Sequence, residues 1–246
     1  MTKTEKTLKL SCLIIGVITV LLTIYKIISY HFHIWPSINI YYPNYTTNNV
    51  GALNDLAYFT ILSNVFISIY FICFGLSLFN IKFIKKLANN TYFQGSATLC
   101  IFLTGIIFCF VLMPFFKFFA WNSVLLINNL MEIWFHIIVP ILATILWFLP
   151  IHTKSIKKRF ILFSLIFPFI YTVFTLVRGF IINWFPYPFF DVYTLHEIAF
   201  KNAPFNLKNA VFILVFCLVV LIVIFVLTAW LFMFVKNKLI KKHNAT

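Results

Sequence analysis

Nine polar residues stand on three otherwise apolar stretches at helical spacing: Thr60, Ser63 and Asn64 on one, Asn128, Glu132 and His136 on another, and Tyr171, Thr175 and Arg178 on a third. A hydroxyl, an imidazole, a carboxylate and a guanidinium are the groups of acid–base work or of anion recognition. Inside hydrocarbon such ionisable groups are costly, and they point to a function by default. Glu132 and His136 are four residues apart and share a helix face, which Asn128 and Pro140 extend in either direction.

The elements that must position these residues follow from composition. With 63% hydrophobic and 10% charged residues and a mean hydropathy of +1.01, the 246-residue chain is not a soluble domain. Apolar runs at about residues 10–29, 56–79, 97–116, 124–149, 160–182 and 210–235 each reach the ~20 residues that span hydrocarbon. The expected fold is all-α: a polytopic membrane protein, residues 1–246 forming a single six-transmembrane-helix bundle. The first run follows Lys3, Lys6 and Lys9 as a signal peptide would. It is too long and lacks a small-x-small cleavage site, so it reads as an uncleaved anchor.

Charge sets the orientation. Lys3, Lys6 and Lys9, then Lys82, Lys85 and Lys86, then Lys154, Lys157, Lys158 and Arg159, and finally Lys236, Lys238, Lys241 and Lys242 mark alternate loops and both termini. The positive-inside rule places those ends in the cytoplasm. Lys117, Lys201 and Lys208 fall on the other face, where Lys26 and Arg178 are expected to snorkel outward from helix ends. The net charge of +14 is thus mostly a topology signal, and no segment between the runs is long enough to be a basic nucleic-acid-binding module. Abundant Phe, Ile, Asn and Lys suggest an AT-rich genome and a bacterial plasma membrane.

Five cysteines, Cys12, Cys73, Cys100, Cys109 and Cys217, all lie in apolar runs without paired ligand spacing and read as packing residues. No phosphate-cradling loop or internal repeat is present, so no nucleotide cofactor is expected. His31, His33, Asp55, Asp191, His196 and Glu197 gather in external segments but lack the His-x-x-x-His register of a zinc hydrolase, so no metal is expected. The longest non-helical segments are expected outside, at Tyr30 to Asp55 and Asn183 to Asn209, with Asn44-Tyr45-Thr46 a glycosylation sequon if the host glycosylates.

Depth brings the polar stripes together. At 1.5 Å per residue, Thr60 and Asn64 lie roughly 6 to 12 Å inside the outer surface, and Arg178 and Thr175 about 6 and 10 Å. His136 is somewhat deeper. The three stripes meet in the outer half of the membrane, as the walls of a pocket would.

Three strings carry a resemblance: Phe59-Thr60-Ile61-Leu62-Ser63-Asn64; Phe135-His136-Ile137-Ile138-Val139-Pro140; and Tyr171 through Gly179 followed by Trp184-Phe185-Pro186-Tyr187-Pro188-Phe189-Phe190-Asp191. In order and spacing, over about residues 55–192, they resemble the bacterial six-helix Pr-six-Pr membrane proteins. That family in turn resembles, more distantly, the androgen-induced or ADTRP-like membrane proteins, which hydrolyse fatty acid esters of hydroxy fatty acids with a Thr nucleophile and a His base. The animal hydrolases do not share the Arg-Gly and Pro-Tyr-Pro-Phe-x-Asp pattern in this form. By position in the second and fourth helices, the resemblance implies Thr60 as nucleophile and His136 as base. Glu132 would fix the imidazole tautomer, Asn64 would donate to an oxyanion, and Arg178 would bind a carboxylate or developing charge. Asn128, Tyr171, Thr175, Trp184, Tyr187 and Asp191 would contact the substrate.

Structural alternatives stand beside each role. Thr60 and Ser63 are also suited to bonding the preceding turn or a neighbouring helix. Glu132 and His136 also suit a buried packing pair, and Arg178 an interfacial anchor. Trp184 to Phe189 also fits an aromatic belt whose two prolines hold it as a rigid cap. The expected partners are membrane lipids and a lipid ester or amphipathic small molecule, with no nucleic acid. The non-enzymatic alternative is a binding or transport protein in which Glu132, His136 and Arg178 recognise an anionic or amphipathic ligand.

Overall fold

The structure is a computed structural model that describes residues 2–31, 54, 56–113, 126–151, 155–182, 184–200 and 204–244. Six helices are long and apolar enough to cross a membrane, and no strand occurs among the described residues. The protein is an all-α integral membrane protein. Helix α1 (Lys3–His31) is followed by α2 (Phe59–Leu76), a short amphipathic α3 (Lys82–Ala88) and α4 (Thr91–Ile107). Then come α5 (Leu126–Ile133) and α6 (Val139–Phe148), joined into one span by a wide turn at Trp134–Ile138, and α7 (Arg159–Ile182), α8 (Val192–Phe200) and α9 (Leu207–Asn244).

Close approach fixes the pair α1 and α2. A Cβ on Gly75 would sit 2.5 Å from Leu13 Cβ and 2.8 Å from Lys9 O, and one on Gly16 would meet Ile72 at 2.9 Å. In a bilayer, where apolar faces gain nothing by leaving lipid for protein, such backbone proximity is what drives helix association. The core lies between α2, α4 and α6, around Ile67, Tyr70, Phe71, Ala97, Ile101, Val139 and Ala143. Helix α4 is 67% buried, against 22% for α1, 28% for α7 and 17% for α9, so α1, α7 and α9 lie at the periphery.

Several boundaries depart from the expected ones, α1 already beginning at Lys3 rather than near residue 10. Helix α4 begins at Thr91 rather than near residue 97, because Asn90 Oδ1 accepts from the amides of Tyr92 and Phe93 and the polar Gln94, Ser96 and Thr98 are buried between helices. Helix α9 runs to Asn244, well past residue 235: Lys236 is buried, donates to Leu149 O at 2.6 Å and lies over the Trp147 ring, so it is not a loop charge. The segment 183–209 is not wholly irregular. Asp191 caps α8, accepting from Tyr193 N and the Thr194 hydroxyl, and Val192 and Leu195 pack on Ala210 and Leu214 of α9. The cysteines are free, with Cys12 and Cys100 buried. The sequon at Asn44 and the residues His33, Asp55, Lys117, Lys154 and Lys201 lie outside the described residues.

Candidate functional site

The first turn of α2 and the wide turn between α5 and α6 bring the expected pair together. Thr60 Oγ1 lies 3.2 Å from His136 Nε2. On the far side of the ring, Nδ1 is 3.0 Å from Glu132 O and 3.0 Å from Glu132 Oε2. Both of those oxygens are acceptors only, so Nδ1 carries the proton. In the neutral ring Nε2 is therefore the acceptor, and the Thr60 hydroxyl donates to it. The imidazole stacks on Phe108, centroids 3.9 Å apart and planes at 16°, which fixes its plane as well as its tautomer.

Backbone chemistry explains why His136 sits where it does. In the wide turn the Val139 amide bonds to Trp134 O, five residues back. Phe135 O thereby loses its helical donor, and the next amide in line belongs to Pro140, which has no N–H. Asn64 fills the vacancy: its Nδ2 donates to Phe135 O at 3.1 Å and to Thr60 O at 2.9 Å. Such turns recur at functional sites. Helix α4 can approach here because Gly105 has no Cβ; one would lie 2.9 Å from His136 O. Ser63 and Thr104 bond each other at 2.9 Å beneath the pair.

Two expectations change. Asn64 is a clamp, not an oxyanion donor, since both amide hydrogens hold backbone carbonyls. Lys26 does not snorkel outward: its Nζ is 2.7 Å from Glu132 Oε1. It shares a stripe of α1 with Thr19 and Thr23, and Thr19 Oγ1 accepts from Trp134 Nε1 at 3.0 Å. A row Lys26, Glu132, His136, Thr60 thus crosses from α1 to α2 through α5. An acid in mid-span calls for a cation at similar depth, and Lys26 is one, but nothing local to α1 distinguishes it from a snorkelling lysine.

A cavity of about 410 Å³ opens beside Thr60 and His136, within the range of small-molecule sites. Its walls are Phe59, Pro168, Phe169, Leu176, Phe189, Phe190, Phe225 and similar side chains of α7, α9 and the 187–190 segment, with Thr104, Tyr171 and Tyr187 adding hydroxyls. Tyr171 directs its hydroxyl to Ala57 O at 2.8 Å. Tyr187 is buried, and burial pushes its phenol up, so the phenol keeps its proton at neutral pH.

Of the remaining expected residues, Arg178, Trp184, Thr175 and Asp191 lie off the cavity. Arg178 Nη2 bonds Asn54 Oδ1, and its guanidinium lies 5.1 Å from the Trp184 ring, on an outer groove of α7. Trp184 packs edge-on to Tyr58, Thr175 is buried one turn beyond Tyr171, and Asp191 caps α8. Asn128 lies in α5, and its side chain is outside the described residues. Among the described residues no group of three metal-ligating side chains occurs. No family model, curated protein or solved structure matches the chain.

Proposed function

We propose that this protein hydrolyses a lipidic ester within the membrane, with Thr60 as nucleophile and His136 as general base. The observation that carries this reading is the Thr60 to His136 contact of 3.2 Å, with the tautomer set from the other side by Glu132. Thr60 Oγ1 attacks the ester carbonyl carbon as Nε2 takes its proton. Collapse of the tetrahedral intermediate expels the alkoxide, which receives that proton from the imidazolium. Water, deprotonated by the same nitrogen, then cleaves the acyl-threonine and releases the acid. The negative charge of Glu132 stabilises the imidazolium while it exists.

Tyr187 takes the oxyanion role in this reading, as a protonated phenol beside Thr60. Tyr187→Phe is expected to lower kcat about 10²-fold with little change in KM, the effect of losing one such donor; equal loss in kcat and an unfolded variant by thermal melt would assign it to packing instead.

The likeness to the Pr-six-Pr proteins and their animal hydrolase relatives is part of the same proposal, as is a bacterial plasma membrane. Basic residues at both termini and in alternate loops favour cytoplasmic termini, with the Thr60 end of the bundle outward. The anion-binding alternative loses support because Arg178 does not line the cavity. The test is labelling of the purified protein by a lipophilic fluorophosphonate. Wild type is expected to label and folded His136→Ala to lose labelling. Folded wild type that neither labels nor turns over acyl esters would overturn the enzymatic reading and leave ligand binding.

A further inference from the structure

The cavity beside Thr60 is not sealed from the lipid side of the bundle. Three of its lining residues, Phe169 and Val173 on α7 and Ile222 on α9, are also exposed at the bundle surface, at 68%, 46% and 54%. These lie on the outer wall, and in a six-span protein exposed apolar positions at mid-helix face acyl chains. Phe169 and Val173 also line the outer groove of α7 that runs to Arg178, so groove and cavity share these two side chains as a wall. Behind the opening the cavity follows α7 from Leu165 to Leu176, roughly 16 Å at the helical rise. Its walls are almost wholly apolar, and Thr60 and His136 are among the residues that line it.

Resting on the hydrolase reading, we infer that the acyl chain of the ester enters sideways from the lipid, between α7 and α9, through the mouth formed by Phe169, Val173 and Ile222. A short, water-borne ester needs neither a 16 Å apolar channel nor an opening into lipid. A chain that slides in from the leaflet remains in an apolar medium throughout, so entry has no desolvation cost for the chain, and the ester carbonyl travels last to Thr60. Pro168, which lacks the N–H to bond Ser164 O, sits in the channel wall and weakens α7 at that height.

The test uses the full chain in lipid vesicles with Val173→Trp and Ile222→Trp, each widening a side chain in the mouth. Two esters are compared, a water-soluble butyryl ester and a palmitoyl ester dissolved in the vesicle lipid. The ratio of palmitoyl to butyryl turnover is expected to fall about tenfold or more, the scale of discrimination by an apolar pocket. An unchanged ratio overturns lateral entry even where the variants are active. If wild type cleaves neither ester, the hydrolase reading fails, and the mouth is judged by photolabelling with a palmitic acid bearing a diazirine at the chain end. Labels on Leu165, Leu221 or Phe225 that vanish in Val173→Trp support entry of a chain; labels confined to outward-facing residues overturn it.

Discussion

Replacing Thr60 by Val lowers ester turnover about 10³-fold or more while the fold persists. Val has the shape of Thr without the hydroxyl, so the only loss is the group that donates to His136 Nε2. A threonine that merely ties helices together loses one hydrogen bond in this change, about 1 kcal/mol, and would leave turnover near wild type. The other role is visible elsewhere in the bundle: Thr19, Thr23, Thr104, Thr144 and Thr228 each donate to the carbonyl four residues back, whereas Thr60 directs its hydroxyl across to His136. Thr60→Ser keeps the nucleophile and is expected within about tenfold of wild type, with a freer rotamer as the cause of the difference. Initial rates in detergent, with melting temperature as the fold check, decide the matter: equal activity in Thr60→Val and wild type excludes a nucleophilic Thr60.

The six spans were legible because hydropathy is a local quantity, whereas the pairing of Thr60 with His136, 76 residues apart, was implied by the family resemblance and fitted by their similar depth. Hydropathy marks a span from about twenty residues, and rise per residue sets depth without knowledge of neighbours. The rest depended on pairings distant in the chain. Lys26 near the end of α1 has the same local signature as a snorkelling lysine; only the approach of α5 makes it the partner of Glu132. Asn64 looked like a free donor because nothing local shows that Phe135 O is orphaned. That vacancy needs the wide turn and Pro140 together, and the amide that fills it comes from 71 residues away. Tyr187 lies in a Pro-bounded segment that reads equally as a cap, and its place beside Thr60 follows from how that segment folds over α2. The early start of α4 was hidden because the polar Gln94 and Ser96 precede the apolar run that opens near residue 97, although buried polar groups between helices are what binds membrane bundles.

Lys26→Met destabilises the protein by about 3 to 5 kcal/mol, because it leaves Glu132 as an uncompensated charge among apolar helices. Glu132→Gln alone is expected to be similarly harmful, since the ammonium of Lys26 then faces a neutral amide in place of the carboxylate at 2.7 Å. The double variant Lys26→Met with Glu132→Gln removes both charges at once and is expected to recover most of the stability, giving a large coupling energy in the cycle. Stability and function then separate. Lys26→Arg keeps the pair and retains turnover, while the stable double variant stays down about 10²-fold, because no negative charge faces the imidazolium as Thr60 attacks. The backbone Glu132 O still accepts from Nδ1, so the tautomer survives and the loss isolates the electrostatic part. Full turnover in the double variant would make the row from Lys26 to His136 a packing device; additive losses of stability would show that the two charges do not depend on each other.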